Sequence, residues 1–124
     1  MLRWLVAGLL VAHGLVHIAV WASAKVAEGQ GSTPDRSWIL GTQHSLVLGM
    51  TYLVVALFAV AGVALVFQVG WWPQMTVVAA GASLLLVALF PGAIVGPWIV
   101  APIAINVTLI AAVWLSWPES LMTG

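Results

Sequence analysis

A chain of 124 residues that is 64% hydrophobic and 5% charged cannot cover a water-exposed surface; a soluble domain carries about 25% charged residues. Three Lys+Arg balance three Asp+Glu, so no basic stripe exists for a phosphate backbone and nucleic-acid binding is excluded. The absence of cysteine removes disulfides, thiolate metal sites and redox thiols.

The first element is the apolar stretch 2–24, long enough to cross a hydrocarbon core of roughly 30 Å. It carries two of the three histidines, His13 and His17. A spacing of four residues puts both imidazoles on one helix face, one turn apart. Ionisable side chains are rare in membrane spans because leaving water costs several kcal/mol, so this face is the first candidate site. Arg3 before the run and Ala22-Ser23-Ala24 after it imitate a signal peptide with its cleavage site. The run is longer than a usual signal core, so it is expected to be retained as a true span.

Residues 25–43 form the one extended polar segment, holding Lys25, Glu28, Asp35 and Arg36 among Gly29, Gly31, Ser32 and Pro34. That is loop composition. The loop is expected on the membrane surface, with Ser37 or Asp35 capping a short turn and Trp38 at headgroup depth. A second span is expected over 44–68. Gly70-Trp71-Trp72-Pro73 then reads as a tight turn, with Gly70 in the left-handed position, two interfacial tryptophans, and Pro73 in the next helix's first turn. The third span is expected over 73–90, ended by Pro91-Gly92, and the fourth over 97–117, where Pro102 removes a backbone donor and bends or loosens the helix start.

The fold class is therefore all-α: a single membrane domain, 1–124, forming a four-helix bundle of sequential antiparallel spans. An even number of spans puts both termini on one side, and Arg3 before the first span favours the inside. Small residues thin the first helix at Ala7, Gly8, Ala12 and Gly14, and the third at Ala79, Gly81 and Ala82. In lipid, helices associate through close backbone approach, so these positions are expected to face other helices.

Depth arithmetic places the remaining polar residues. At 1.5 Å per residue, His13 lies roughly 15 Å from Arg3, near the midplane. Thr51, Ser83 and Asn106 each fall near the centre of their own span, so His13, Thr51, Ser83 and Asn106 form a buried polar set. Asn106 is the best partner for His13, because its amide both donates and accepts. His17 lies one turn nearer the long-loop side, where His44 enters the second span beside Gln43 and Ser45.

His13, His17 and His44 together have the composition of a three-imidazole site for zinc, copper or iron, and two of them can ligate a haem iron axially. Against this, each histidine can equally be a hydrogen-bonded packing residue, and no span holds a carboxylate to orient the rings; Glu28 or Asp35 would have to fold back from the loop. No Ser-His-acid arrangement and no phosphate-binding glycine loop is present, so no catalytic residue is assigned.

The run Ala12-His13-Gly14-Leu15-Val16-His17 resembles the opening of a group of uncharacterised small four-span bacterial and archaeal membrane proteins, which begin with a His-Gly-aliphatic-aliphatic-His motif. The likeness extends to Gly62-Val63-Ala64-Leu65, to Gly70-Trp71-Trp72 and to Asn106. It implies four helices and brings no substrate or cofactor. Function is accordingly expected to be that of a non-catalytic accessory or structural subunit in the cell membrane, packing against other membrane subunits or itself. The alternative is a metal- or haem-binding protein built on the histidines.

Overall fold

The computed structural model of the protein describes residues 1–22, 35–94 and 96–115. Four helices dominate it. Helix α1 is Leu2–His17 and continues as a π-helical turn, Ile18–Ala22; α2 is His44–Val66; α3 is Trp72–Leu89; and α4 is Val100–Trp114, entered through a 3₁₀ turn over Gly96–Ile99. Among the described residues these four segments are long and apolar enough to cross a membrane. Their apolar residues run round every face, the pattern of helices surrounded by other apolar matter rather than lying on water. Residues 23–34 and 116–117, which include the last two residues of the expected first span, most of the polar loop and the end of the fourth span, lie outside the described residues.

Among the described residues the fold is all-α apart from one small hairpin. Strand β1, Arg36–Ser37, pairs antiparallel with β2, Gly41–Thr42. Ser37 Oγ accepts from the backbone N–H groups of Ile39 (3.3 Å) and Leu40 (3.2 Å), which closes the turn. Gly41 takes φ +73°, a conformation other residues avoid. Ser37 thus caps a short turn, as expected from its place in the loop.

The α2–α3 connection departs from expectation. The left-handed residue is Gln68 (φ 56°) rather than Gly70, so α2 ends at Val66. Val69 N–H bonds Ala64 O at 2.8 Å and Gln68 N–H bonds Leu65 O at 3.0 Å. This paired closure occupies two carbonyls that a helix end otherwise leaves open. Pro73 falls in the first turn of α3, where its missing N–H removes no helical bond.

The helices pack in chain order, α1 on α2, α2 on α3 and α3 on α4. Phe58, Ala61, Leu65, Ala79, Leu86 and Phe90 are fully enclosed between them. Gly14 of α1 lies against Phe58 and Val55, whereas Gly62 lies against Ala7 and Val11, so α1 and α2 run antiparallel. α1 and α4 are separated by an open groove of about 280 Å³. Of the small residues, Ala7, Gly14 and Ala79 are buried at contacts, but Gly8, Ala12 and Gly81 are exposed. Pro102 falls in the first turn of α4, which the 3₁₀ turn over Gly96–Ile99 precedes.

A methyl group on Gly14 would stand 2.8 Å from Phe58 Cβ, an atom fixed to the α2 backbone. Gly14→Ala is therefore expected to force α1 from α2 and to destabilise the bundle by about 1–3 kcal/mol in denaturant titrations. Gly81→Ala, which meets open space, is expected to be neutral or slightly stabilising.

Candidate functional site

His13 and His17 of α1, Ser83 of α3 and Asn106 of α4 meet in one hydrogen-bond network, whose direction follows from its backbone acceptors. His17 Nδ1 lies 2.9 Å from His13 O and 3.2 Å from Gly14 O. Carbonyls only accept, so Nδ1 carries the proton and, in the neutral ring, Nε2 accepts. Ser83 Oγ, 2.6 Å from that Nε2, is the donor to it. Ser83 Oγ in turn accepts from Asn106 Nδ2 at 2.8 Å, and the second proton of that amide goes to Pro102 O at 2.8 Å. Asn106 Oδ1 is then the acceptor for His13 Nε2–H at 3.2 Å. Ser83 and Asn106 are wholly buried, and His17 is 2% exposed.

Local structure supports this arrangement. His17 Nδ1–H competes with the backbone for the carbonyls of His13 and Gly14. Ile18 N–H bonds Leu15 O, and the helix passes into π register at that residue. Such π turns often accompany functional or strained sites. The turn stacks Trp21 on His17 (ring centroids 5.4 Å, planes 18° apart), and Trp21 Nε1–H donates to Phe90 O at 3.1 Å. Phe58 meets the edge of His13 at 4.9 Å and lies 5.9 Å from His17, closing the α2 side.

Four of the expected placements can be compared directly. His13 and Asn106 are bonded as anticipated. Ser83 joins them directly, accepting from Asn106, and also holds His17, which was expected to share its depth with His44. Thr51 is buried without joining the network: its hydroxyl donates to Val47 O at 2.6 Å, within its own helix. His13 and His17 are adjacent, with ring centroids 5.1 Å apart. His44 stands at the start of α2, where Nδ1 lies 3.8 Å from Asp35 Oδ2 and both side chains are partly exposed. Asp35 thus does reach an imidazole, that of His44. Among the described residues no three of His, Cys, Asp and Glu gather as a metal-ligand set. Thr76, also buried, was not anticipated; like Thr51 it donates to a carbonyl one turn back, Trp72 O at 3.0 Å.

Chemically, the network holds shape rather than moving charge. Its last donor, His17 Nδ1–H, ends on backbone carbonyls, so among the described residues the network closes on the backbone at that end. Ser83 and His17 have the spacing of an activated hydroxyl and its base. Ser83 is enclosed, however, and also holds Asn106, so a substrate carbonyl has no approach to it. No family model matches the chain, and no curated protein or solved structure does either.

Because Ser83 and Asn106 share one bond and one enclosure, their effects are expected to be coupled. Ser83→Ala leaves His17 Nε2 and one Asn106 proton unpaired, at a cost of about 1–3 kcal/mol. In a double-mutant cycle with Asn106→Ala, measured by reversible unfolding, the coupling is expected at about 0.5–2 kcal/mol. The cycle of Ser83→Ala with Thr51→Val, which share no hydrogen bond, is expected to add within about 0.5 kcal/mol.

Proposed function

We propose that the chain is a non-catalytic, multi-pass protein of the cell membrane, acting as an accessory or structural subunit packed against larger membrane partners or copies of itself. The observation that carries this reading is the state of α4. Asn106 is its one buried residue, while Val100, Ile105, Val107 and Trp114 are 45–81% exposed. Over an 18-residue apolar stretch of each, the other three spans bury 28%, 33% and 39% of their residues within the chain, against 6% for the fourth. A helix that packs on one neighbour and buries a single residue leaves its remaining faces for further helices or lipid. In a bilayer the choice between these rests on packing and hydrogen bonding, since lipid is as apolar as leucine. The connections between spans are too short to house a separate domain, and the hydroxyl and amide groups at the centre are engaged internally, which argues against turnover of a substrate.

Purification in mild detergent followed by native mass measurement tests the reading. The expected result is an assembly heavier than the 13.0 kDa chain, either homo-oligomeric or with a stoichiometric companion. A monodisperse single chain without a companion would overturn it.

One observation favours a second reading, a bound metal ion or haem. His13 keeps Nδ1 outside the network, so it has a lone pair to give. His17 would have to surrender a bond to contribute, and His44 would have to leave Asp35. Metal analysis and a Soret band in the same preparation are the measurements that support or remove this alternative.

A further inference from the structure

With Nε2 of His13 donating to Asn106, Nδ1 of the neutral ring is an acceptor, and among the described residues nothing bonds to it. It is also absent from the buried atoms that lack partners, so it has access to open space. His13 lines the groove between α1 and α4. The other walls include Val20, Ile94, Trp98, Ala101 and Ile105, with the buried rings of His17 and Trp21 behind. Of these, Trp98 is 75% exposed and Ala101 and Ile105 are exposed as well, so the groove opens sideways, towards the surroundings of the helices.

We infer that this groove is a binding site for a lipid-soluble phenol-type molecule, whose hydroxyl donates to His13 Nδ1 and whose ring lies along Trp98. Each part of the ligand follows from the walls. They carry no carboxylate, lysine or arginine, so a charged ligand would lose its hydration without compensation. The polar atom on offer is an acceptor, so the ligand must bring a donor. A phenolic O–H is a stronger donor than an alkyl alcohol, and its ring can stack on an indole. The volume, about 280 Å³, is at the small end for ligand sites and suits a single ring with a short substituent. A groove that runs from His13 towards the span ends and opens at the side is reached from hydrocarbon. The inference rests on the spans lying in a bilayer and not on the chain being a subunit of an assembly, so a monomeric preparation leaves it standing.

The test uses the full chain in lipid nanodiscs with ¹⁵N-labelled histidine, titrated with 4-propylphenol and with 4-propylanisole, which has the same ring and no donor. The phenol is expected to move the unprotonated Nδ1 resonance of His13 and to bind roughly fivefold to tenfold more tightly than the anisole, the ratio one hydrogen bond supplies. Ala101→Trp, which fills the groove at an exposed position, is expected to abolish the phenol shift while leaving the ligand-free His17 resonances in place. Ile105→Trp supplies a second groove-filling variant if that one fails to fold. Equal binding of phenol and anisole would overturn the inference in favour of unselective apolar filling, such as by a lipid chain. A phenol shift that persists in the groove-filled variants would place the site elsewhere. Contacts between differently labelled copies at Ala101 would make the groove an interface between chains and equally overturn it.

Discussion

A polar side chain carried into an apolar interior must find its partner inside the protein, since water is not there to supply one. In this chain the requirement falls on three helices at once. His17 of α1, Ser83 of α3 and Asn106 of α4 are buried at positions far apart in sequence; His17 and Asn106 each rely on Ser83, and Ser83 is satisfied only if both are in place. The helices otherwise meet chiefly through apolar side chains, which pack acceptably in many rotations and registers. The network admits one. Sliding α4 by a turn would leave Ser83 holding one partner and Asn106 facing aliphatic carbon. Interhelical hydrogen bonds in membranes average only about 0.6 kcal/mol, so the contribution is to uniqueness more than to strength.

That constraint propagates outwards. Because His17 uses the carbonyls of His13 and Gly14, the following turn of α1 leaves α-helical register and places Trp21 over the imidazole. Trp21 then reaches Phe90 O, where α3 ends and its last carbonyls need donors. Trp38, from the hairpin, donates to Ala88 O at 2.7 Å in the same terminal turn. Two tryptophans that composition alone would assign to the membrane interface therefore also complete the end of a helix. The hairpin tip Trp38-Ile39-Leu40 is exposed, so this bond helps tie the hairpin to the bundle, beside the packing of β1 on Pro91–Ala93.

The helices and the midspan polar set were legible in the sequence because both rest on one-dimensional quantities. Run length sets the span, and distance from the span end sets depth. Those sufficed to pair His13 with Asn106. They did not suffice for His17, whose depth suggested His44, because pairing across a bundle depends on helix rotation as well as depth. Rotation here is fixed by Gly14 and Gly62, whose missing side chains let α1 and α2 approach closely. Thr51 shows the same limit from the other side: at the right depth, it faces its own helix and satisfies itself on Val47 O. The turn after α2 failed for a local reason. Glycine is the usual left-handed residue, but the closure falls where the two backbone bonds to Ala64 and Leu65 can form, and that position is occupied by Gln68.

The two histidines of one helix face end with different roles, although spacing alone makes them equivalent. His17 has both nitrogens engaged and is enclosed, so it is part of the frame. His13 is bonded through one nitrogen and stands at the margin of the α1–α4 groove, so it is held in orientation by the frame while remaining open to what lies beside it. The asymmetry originates in helix packing. α2 covers His17 and one side of His13 with Phe58, but α4 comes no closer to α1 than the Asn106 amide can span. Closing that gap would enclose His13 as fully as His17 and leave Nδ1 a buried acceptor without a donor. The looseness of α4 and the half-open state of His13 are thus one feature, and any molecule or helix that fills the groove must bring a donor to that nitrogen or bear the cost of leaving it unpaired.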